Sequence, residues 1–369
     1  MPMTSNRRVL VGISGGIDST AACLMLREQG YEPVGMTMRV WNDGADAVQE
    51  AAALAARLGM EHHVVDVRKE FEEMVVADFI NEYLAARTPN PCVLCNRLFK
   101  FRLLIDCADR HDCAMIATGH YVRLTTVNGH LHVRRGADGR KDQSYFLWRV
   151  DEGVLRRCIF PLGDYRKDEV RDYLLSRGFD AKAKSKESME VCFVPGDYRD
   201  FLKGHCDMQN IKEGWFVSPD GKKLGMHKGL PFYTIGQRKG LGIALGKPAY
   251  VLKLNSTSNT VMLGDKDGLR AEYMLVERCC SSDLDYLLRG DRRLSVMIRY
   301  HGQPIPCQIA EADDGCIVVK FLAEAESVTP GQSAVFYEGD TVLGGAYIAN
   351  QRMLGKYLSS EYVDKLQFR

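Results

Sequence analysis

Hydrophobic and polar positions follow two different patterns along the chain, and the change falls just past its middle. In the first half, a short apolar run at residues 9–13 leads into a segment with helical spacing at 18–30. Later runs of the same two kinds predict strands at 33–41, 62–67 and 114–120 and helices at 47–60, 69–86 and 96–110. Strands that alternate with helices predict an α/β domain with a doubly wound parallel sheet, and we assign it residues 1–204.

The helical spacing disappears beyond about residue 205. Residues 205–271 are rich in glycine and have turn residues every few positions, so we predict a small β-rich domain there. Short segments with alternating apolar residues then follow at 293–300, 304–312, 316–322, 333–339 and 341–349. Because turns such as Asp-Asp-Gly separate them, they predict a C-terminal antiparallel β-barrel with a tail over residues 272–369.

Composition narrows the class of protein. The chain has 369 residues, of which 46% are hydrophobic and 26% charged, as in a globular protein of two or three domains. Its N-terminal residues contain no apolar stretch typical of a signal peptide, and no run approaches the ~20 apolar residues of a membrane span. We therefore expect a cytoplasmic protein with no membrane partner, whose 12 cysteines are mostly thiols.

A glycine-containing turn connects the first predicted strand to the first predicted helix. In "SGGIDST", residues 14–20, the missing glycine side chains let backbone N–H groups approach an anion, and the helix N-terminus adds positive partial charge. Asp18 can cap the helix or bind Mg²⁺. The string is neither a Walker loop nor GxGxxG, and an ordinary strand–helix turn is the alternative.

The same string resembles the SGGxDS pyrophosphate loop of the ATP-pyrophosphatase superfamily, whose members split ATP between its α and β phosphates and adenylate a substrate. The resemblance implies an adenine nucleotide alpha hydrolase-like fold that uses ATP and Mg²⁺, with no permanently bound metal. We expect Met38 and Gly119, at the ends of predicted strands, to line the adenine pocket, with core packing as the alternative for Met38. The predicted ATP-binding residues are Gly12, Ile13, Ser14, Gly15, Gly16, Ile17, Asp18, Ser19, Met38 and Gly119.

Two cysteines three positions apart lie in the segment "TPNPCVLCNRLFKF". A zinc clip needs four ligands, but Cys107 and Cys113 fall at predicted core positions and no second CxxC is present in the sequence. Cys95 stands directly before a predicted helix that contains Arg97 and Lys100, a position in which the pKa of a thiol is lowered. The sequence therefore favours Cys95 as a reactive thiol.

A further cysteine, Cys192, lies in "SKESMEVCFVPGDY", after a polar, Lys-rich segment. This composition favours a loop that can move and present a thiol. A short core strand over residues 190–194 is the alternative, and the residues alone favour neither.

Nine segments in chain order resemble the bacterial-type tRNA-specific 2-thiouridylases, which make 2-thiouridine at the anticodon wobble position. They span nearly the whole chain and read "VGISGGIDST", "TPNPCVLCNRLFKF", "ATGHYVR", "KDQSYFL", "FPLGDYRKDEVR", "SKESMEVCFVP", "YTIGQRKGLGI", "VMIRYHGQP" and "TPGQSAVFY". The resemblance implies a tRNA-uridine 2-sulfurtransferase. AMP is transferred to the C2 oxygen of the uridine at position 34, sulfur then replaces that oxygen, and the products are 2-thiouridine, AMP and pyrophosphate.

The resemblance also implies roles for two distant thiols. Cys192 receives a persulfide sulfur from a carrier protein, and Cys95 is the nucleophile that helps to deliver this sulfur and forms a disulfide with Cys192. Asn90, Pro91 and Cys92 contact the target base. Many family members have Asp where this chain has Cys92, so the role of general base does not transfer. Three neighbouring thiols also raise an alternative, a [4Fe–4S] cluster on Cys92, Cys95 and Cys192.

A basic section indicates an RNA partner. The whole chain has a net charge of +1, but residues 203–256 contain nine Lys/Arg and three Asp/Glu, a local excess of +6. Four aromatic residues lie among these charges and would stack on bases, form a β-domain core, or do both: Trp215, Phe216, Phe232 and Tyr233. The resemblance implies binding of the anticodon stem-loop of tRNA through His120, Lys141, Asp142, Gln143, Arg299, Tyr300 and Gln332. We expect a monomer, because no long unpaired apolar surface stands out in the sequence.

Two other functions are weighed against this one. A ligase with the same loop that delivers an amine would need neither paired cysteines nor a basic section. A non-catalytic RNA-binding protein with the same fold would tolerate loss of Ser14, Asp18 or Cys95, and all three are present.

Overall fold

The computed structural model describes residues 7–41, 45–185, 191–289 and 293–358, together with Leu366 and Phe368. Its contacts divide the chain into two compact units, each assembled from distant parts of the sequence. The first unit comprises the described residues of Met1–Val75, Cys92–Met189 and Asp340–Leu343. The second comprises those of Val76–Pro91, Glu190–Gly339 and Gly344–Arg369.

Short helices are distributed along the described residues. Helices α1 to α12 are Ile17–Glu28, Ala45–Leu58, Arg68–Phe71, Ala77–Leu84, Pro91–Cys95, Phe101–Arg110, Glu152–Leu155, Lys167–Ser176, Asp180–Ala183, Tyr198–His205, Leu284–Leu288 and Leu354–Tyr357. Two π-helical segments, Glu72–Val76 and Asn96–Lys100, connect α3 to α4 and α5 to α6. Single 3₁₀ turns occur at Ser144–Phe146, Met208–Asn210, Leu230–Phe232, Lys266–Leu269, Asp313–Gly315 and Gln351–Met353.

Strands belong to both units. Strands β1 to β17 are Arg8–Gly12, Glu32–Arg39, His62–Asp66, Met115–Ala117, Val122–Val127, His130–Arg135, Cys158–Ile159, Gly214–Val217, Lys223–His227, Tyr250–Asn255, Thr260–Gly264, Arg270–Ser281, Leu294–Met297, Ile305–Glu311, Ile317–Glu326, Ser333–Glu338 and Thr341–Ile348.

A parallel five-stranded sheet, in the order β3-β2-β1-β4-β7, forms the centre of the first unit. Strand β1 occupies the middle because Val9, Leu10 and Val11 are all apolar and fully buried, as both faces of a parallel sheet require. Helix α1 packs on β1 through Cys23 and on α8 through Ile17. The predicted α/β fold with a doubly wound parallel sheet is confirmed.

A β-hairpin extends the first unit. Strands β5 and β6 pair in antiparallel register around Asn128 and Gly129, whose positive φ angles of 51° and 82° fit a tight hairpin turn. The far edge of β6 pairs with the start of β17, where Arg134 lies opposite Thr341. The backbone N–H of Arg135 also donates to the Asp340 carbonyl at 2.9 Å. Four residues from late in the chain therefore complete this edge.

Two β structures form the second unit. The central one is a four-stranded sheet in the order β10-β11-β8-β9, in which only the β8–β11 pair is parallel among the described pairings. The C-terminal one has the order β12-β15-β14-β13-β16-β17, and β12 also pairs with β17, so the sheet closes. The predicted small β-rich domain and C-terminal antiparallel barrel are thus confirmed. The predicted limits of the three domains stay a prediction.

The Lys-rich segment before Cys192 falls mainly on residues 186–190, which lie outside the described residues. Within the part of the chain that the structure describes, no helix has the length and apolar character needed to cross a membrane.

Candidate active site

The glycine turn is built by hydrogen bonds within its own sequence. Strand β1 ends at Gly12 and α1 begins at Ile17, so the turn lies at the carboxyl edge of the sheet. The Ser19 hydroxyl accepts from the Ser14 N–H at 3.3 Å, and the Thr20 hydroxyl donates to the Gly16 carbonyl at 2.8 Å. The turn is therefore held in shape by its own hydroxyl groups, at the place where the sequence predicts ATP.

Asp18, in the first turn of α1, joins two residues from elsewhere in the first unit. Its Oδ1 atom accepts from the Tyr121 hydroxyl at 2.7 Å and from Lys167 Nζ at 2.6 Å. Lys167 opens α8 and only 7% of it is exposed, whereas the Asp18 side chain is 36% exposed. An almost buried cation thus lies at the N-terminus of α1, next to the glycine turn.

Lys167 is a candidate that the sequence analysis missed. Its segment "FPLGDYRKDEVR" was matched to the family without a role for the lysine. A signal was available, because a cation at the first position of a helix opposes the helix dipole unless it has a partner. The Asp138 carboxylate accepts from the Lys167 backbone N–H at 3.0 Å and fixes the start of α8.

Gly119 follows β4 and approaches α1 closely. A Cβ atom at this position would lie 2.8 Å from the Asp18 carbonyl carbon and 2.9 Å from the Asp18 Cβ. A side chain there would therefore displace the first turn of α1, which explains why glycine is needed. Met38 lies near the carboxyl end of β2, half-buried, in register with Val65 of β3. Adenine contacts of both residues stay predictions.

Cys92 and Cys95 lie one turn apart on α5, so their thiols project from the same side of the helix. The prediction that Cys95 precedes a helix N-terminus is wrong, because the helix begins at Pro91 and continues through Asn96–Lys100. Pro91 starts it because its fixed φ suits the first helical position. The N-terminal partial charge therefore lies four residues before Cys95.

Burial raises the pKa of the Cys95 thiol, contrary to the expected lowering. Cys92 is exposed at the surface, yet the protein atoms crowded around its thiol raise that pKa as well. The Lys100 ammonium opposes both effects, and the Lys100 N–H also hydrogen-bonds Cys95. Lys100 is thus the group that favours thiolate at this site.

The positive charge of Lys100 also acts on His120. Burial, and then the Lys100 charge, hold the pKa of the His120 imidazole well below its usual value. Nδ1 of His120 lies 2.7 Å from the Thr118 hydroxyl. The ring is therefore neutral near pH 7, and a role in attracting phosphate by charge does not suit it.

The Lys-Asp-Gln segment, residues 141–143, is connected to both the glycine turn and helix α5. We call α5 the thiol helix because it contains Cys92 and Cys95. Asp142 is buried, and its carboxylate accepts from the Ser144 hydroxyl at 2.8 Å and from the Gly136 N–H at 3.1 Å. Gln143 Oε1 accepts from the Tyr121 N–H at 3.0 Å, and Tyr121 in turn donates to Asp18.

The thiol helix joins the same set of contacts. Asn96, only 3% exposed, donates from Nδ2 to the Phe146 carbonyl at 3.0 Å. Because Asp142 is buried and its carboxylate accepts hydrogen bonds from Ser144 and Gly136, a role in shaping the Lys-Asp-Gln segment is favoured for it. Contacts of Lys141, Asp142 and Gln143 with tRNA stay predictions.

The second unit contains the remaining predicted site residues. Arg299 is exposed in the turn after β13, and the Tyr300 ring lies 3.9 Å from the His301 ring. Cys192 is exposed. Gln332 donates from Nε2 to the carbonyls of Thr88 and Pro89, at 3.1 and 3.0 Å, immediately before Asn90 and Pro91. The thiol pair Cys95 and Cys192 is divided between the two units, so its approach stays a prediction.

The aromatic residues of the basic section have different environments. Phe216, Phe232 and Tyr233 are buried, which confirms the predicted aromatic core of the β-rich domain, and buried rings do not suit the stacking on bases that was the other expectation. Trp215 alternates outward from Phe216 along β8 and is 38% exposed, with Lys223 Nζ 4.2 Å from its ring centre. Among these four aromatic residues, Trp215 is the exposed one, and its stacking on RNA bases stays a prediction.

One cluster at the opposite edge of the sheet has metal-ligand residue types. Glu61, His63 and His111 have potential ligand atoms within 4.8 Å of one another. Glu61 Oε1 lies 2.8 Å from His63 Nε2, a hydrogen-bond distance, and Arg8 donates to Glu61 Oε2 at 2.8 Å. An ion-pair network accounts for this cluster.

Comparisons with known proteins follow the architecture of the chain. Three family models match in succession, namely a tRNA methyl transferase HUP domain over residues 7–196, a tRNA methyl transferase PRC-barrel domain over 199–265 and an aminomethyltransferase β-barrel domain over 278–348. The first alone matches more than half of the chain, so the fold and the turn define a HUP-domain enzyme of the class that uses nucleotides.

Individual relatives indicate a narrower family than the domain models do. The tRNA-specific 2-thiouridylase MnmA 3 of Bacteroides fragilis is 61% identical over 95% of this chain and 96% of its own length. The MnmA 3 of Phocaeicola vulgatus is 56% identical over 98% and 99%, and the MnmA of Cytophaga hutchinsonii is 42% identical over 94% and 98%. The chain belongs to the tRNA-specific 2-thiouridylase family, and the predicted enzyme class, sulfurtransferase, is confirmed.

One solved structure that is similar to this chain overlaps with about half of it. The U34-tRNA thiolase NcsA from Methanococcus maripaludis, with its [4Fe–4S] cluster, covers 55% of this chain at 16% identity with a TM-score of 0.34. An overlap of this size carries no argument about the chemistry of the site.

Proposed function

We propose that this enzyme thiolates the wobble uridine of tRNA, at position 34, by adenylating its C2 oxygen and then replacing that oxygen with a persulfide sulfur. Family membership supports the 2-thiolation of uridine in tRNA. We propose in addition the target position, the two-step route and the roles of the residues described below.

The adenylation step uses the glycine turn. The N–H groups that open α1 and the Lys167 ammonium provide positive charge where ATP loses pyrophosphate. Asp18 fits Mg²⁺ as a carboxylate oxygen ligand, because its side chain is partly exposed and both described contacts are made by Oδ1 alone. Bound Mg²⁺ would screen the negative charge of the phosphates. Met38 and Gly119 line the adenine side.

The sulfur step uses Cys192 and Cys95. A carrier protein loads sulfur onto Cys192 as a persulfide, whose terminal sulfur attacks C2 while AMP leaves with the former C2 oxygen. Cys95 thiolate attacks the inner sulfur, the S–S bond breaks, and a Cys95–Cys192 disulfide forms. The two electrons that reduce the transferred sulfur come from the two cysteines, so a thiol reductant must restore them before the next turnover.

A second route to sulfur transfer is a [4Fe–4S] cluster. Cys92 and Cys95 present soft sulfur ligands on one side of α5, and Cys192 would be the third. Anaerobic purification followed by iron and sulfide analysis decides between the two routes. An active, iron-free protein would exclude the cluster, and activity that requires iron would exclude the disulfide.

The tRNA is held by the anticodon stem-loop. Asn90, Pro91 and Cys92 receive the target base. His120 and the residues Lys141–Gln143 contact the tRNA, as do Arg299 and Tyr300, and the basic section contacts its phosphate backbone. We propose that one monomer binds one tRNA.

One observation carries the proposal: the Asp18–Lys167 pair lies at the glycine turn, and hydrogen bonds through Tyr121 and Gln143 reach the segment that also binds the thiol helix. The test is pyrophosphate release with and without unmodified tRNA, together with mass spectrometry of the wobble uridine.

Release that depends on tRNA and yields 2-thiouridine is expected. Cys95→Ser and Cys192→Ser should abolish thiolation but preserve pyrophosphate release, and Cys206→Ser, a half-buried cysteine of the second unit, is the matched control. Thiolation that persists in either variant would refute the role of that cysteine.

A further inference from the structure

The two thiols of the thiol helix differ in their access to solvent. Cys92 is exposed, Cys95 is half-buried, and the two residues lie one helical turn apart. From the rise and radius of an α-helix, their Cα atoms are about 5 Å apart. Because a disulfide needs roughly 4.4–6.8 Å between Cα atoms, this spacing permits a bond between the two.

The same neighbouring charge acts on both thiols. Burial raises the pKa of Cys92 and of Cys95, and the Lys100 ammonium opposes this rise at each of them. A smaller rise in the pKa of Cys92 comes from the charge on Cys95. Since such effects require charged groups to be near one another, the two thiols and the cation form one compact group.

Cys92 has no chemical task in the sulfur step proposed above. That step uses Cys95 and Cys192 and leaves a disulfide between them. The Cys95 half of this disulfide lies on the same side of the thiol helix as the Cys92 thiol. A thiolate next to a disulfide sulfur is the arrangement that thiol–disulfide exchange requires.

We propose that Cys92 is the resolving thiol of this enzyme: after sulfur transfer, its thiolate attacks the Cys95 sulfur of the Cys95–Cys192 disulfide. A Cys92–Cys95 bond forms, the Cys95–Cys192 bond breaks, and the electron pair of the broken bond leaves on Cys192 as a thiolate. One disulfide replaces another, so the exchange itself needs neither an oxidant nor a reductant. This inference rests on the proposed persulfide route.

Resolution by Cys92 separates sulfur loading from reduction. Cys192 is released as a thiolate and can accept the next persulfide sulfur before any reductant arrives. The disulfide that remains has the exposed Cys92 as one half, and exposed disulfides are the ones that thiols reduce readily. Two electrons from an external thiol reductant then restore Cys92 and Cys95. Because Cys92 is also proposed to meet the target base, the exchange follows release of the thiolated tRNA.

The test locates the disulfide after one turnover of the full-length protein. Wild-type enzyme is loaded with persulfide sulfur by a cysteine desulfurase, desalted, and reacted with ATP, Mg²⁺ and unmodified tRNA in the absence of thiols. It is then alkylated with iodoacetamide and digested with trypsin without reduction. Trypsin leaves Cys92 and Cys95 on one peptide, residues 88–97, and Cys192 on another, residues 187–199. Mass spectrometry therefore distinguishes a bond within the first peptide from a bond that joins the two.

Each disulfide is expressed per 2-thiouridine formed, so that the result does not depend on how fast a variant thiolates. In the wild type, Cys92–Cys95 should exceed Cys95–Cys192 by about tenfold or more, a preference of about 1.4 kcal/mol, because the local bond closes a much shorter loop. In Cys92→Ser, the Cys95–Cys192 bond should instead approach one per 2-thiouridine. Cys206→Ser, which removes a half-buried thiol of the second unit, should match the wild type.

A second measurement needs neither turnover nor a change at position 92. Cys192→Ser is treated with diamide, an oxidant that converts two neighbouring thiols into a disulfide. The bond within residues 88–97 should form, and iodoacetamide should then label neither Cys92 nor Cys95. Folded Cys192→Ser that keeps both thiols open to alkylation would show that the pair cannot form the disulfide, and the inference would be overturned.

Two other results would also overturn it. The first is wild-type protein that has formed 2-thiouridine and retains Cys95–Cys192 as its main disulfide. The second is an equal ratio of the two disulfides in the wild type and in Cys92→Ser.

The proposed function fails in a different way. Wild-type protein that forms no 2-thiouridine at position 34 would refute the function itself. Wild-type protein that forms it with iron present and with neither disulfide would exclude the persulfide route and the resolving role together. A persistent Cys95–Cys192 bond refutes only the role of Cys92, because that bond is the product of the proposed sulfur step.

Discussion

Lys167 Nζ lies 2.6 Å from Asp18 Oδ1, so a residue of helix α8 brings an almost fully buried ammonium to the glycine turn 149 positions away in sequence. The turn alone has backbone N–H groups and hydroxyls. The lysine adds a full positive charge to them, and a buried charge acts more strongly on phosphate than a hydrated one.

Replacing Lys167 tests this charge. We expect Lys167→Met to lower the rate of tRNA-dependent pyrophosphate release by about 100- to 1,000-fold, as for loss of one preorganised group at a developing charge. Lys69→Met is the control, because Lys69 is 83% exposed and pairs only loosely with Glu73 at 3.9 Å. Equal loss in both variants, or none in Lys167→Met, would contradict the assignment.

Thiol reactivity should depend on Lys100. Since the Lys100 ammonium opposes the burial that raises the pKa of Cys92 and Cys95, Lys100→Met should raise both pKa values further. Alkylation by iodoacetamide at pH 8 should slow by about threefold or more, because thiolate is the reacting form. Arg97→Met, in the same π-helical segment, serves as the control. Faster alkylation in Lys100→Met would show that the Lys100 ammonium does not favour the thiolate form.

The pH dependence of stability should reflect His120. Because its pKa is lowered in the folded state, the unfolded chain binds more protons below its usual value of about 6.5, and the free energy of unfolding falls as the pH drops through that value. Burial lowers the pKa of His62 and His227 in the same direction.

The measurement is urea unfolding between pH 5 and pH 8. In His120→Gln the loss of stability across this range should be smaller than in the wild type, and His301→Gln, an exposed histidine, should match the wild type. An unchanged loss in His120→Gln would show that the other histidines account for it.

Binding of tRNA should depend on the exposed cations Arg238 and Lys239 of the basic section. The double change to alanine should weaken binding and reduce the magnitude of the slope of log affinity against log salt by about 1.4 to 1.8, as for two lost phosphate contacts. Lys247→Ala is the matched control in the same loop, because Lys247 already pairs with Asp265 at 3.0 Å. A salt slope unchanged by the double substitution would place tRNA elsewhere.

Local patterns were sufficient to predict most of the fold. The apolar run at residues 9–13 predicted a buried strand of a parallel sheet, and the change to period-2 alternation after residue 272 predicted the barrel. The sequence placed the start of the helix near Cys95 at residue 96, whereas α5 already begins at Pro91. The preference of proline for the first helical position would have given the correct start.

The site was predicted less completely, because its contacts join distant parts of the chain. Nothing in the local sequence shows that Lys167 reaches Asp18 or that Gln332 binds the Thr88 carbonyl. The sequence also contained no sign that Asp142 is buried and that its carboxylate accepts hydrogen bonds from within its own segment. For Trp215 and Phe216 a signal existed, since neighbours on a strand face opposite sides and only one of them can enter the core.

The short stretch Asp340–Leu343 has a consequence for synthesis. It pairs with the β6 edge of the first unit, although β6 ends at Arg135 and the stretch begins only at Asp340. On the ribosome, the first unit therefore emerges with an open β6 edge and closes it only after residues 340–343 have been made. A shortened protein that stops at residue 204 should keep this edge unpaired and self-associate, so a soluble fragment would need residues 340–343 supplied in another form.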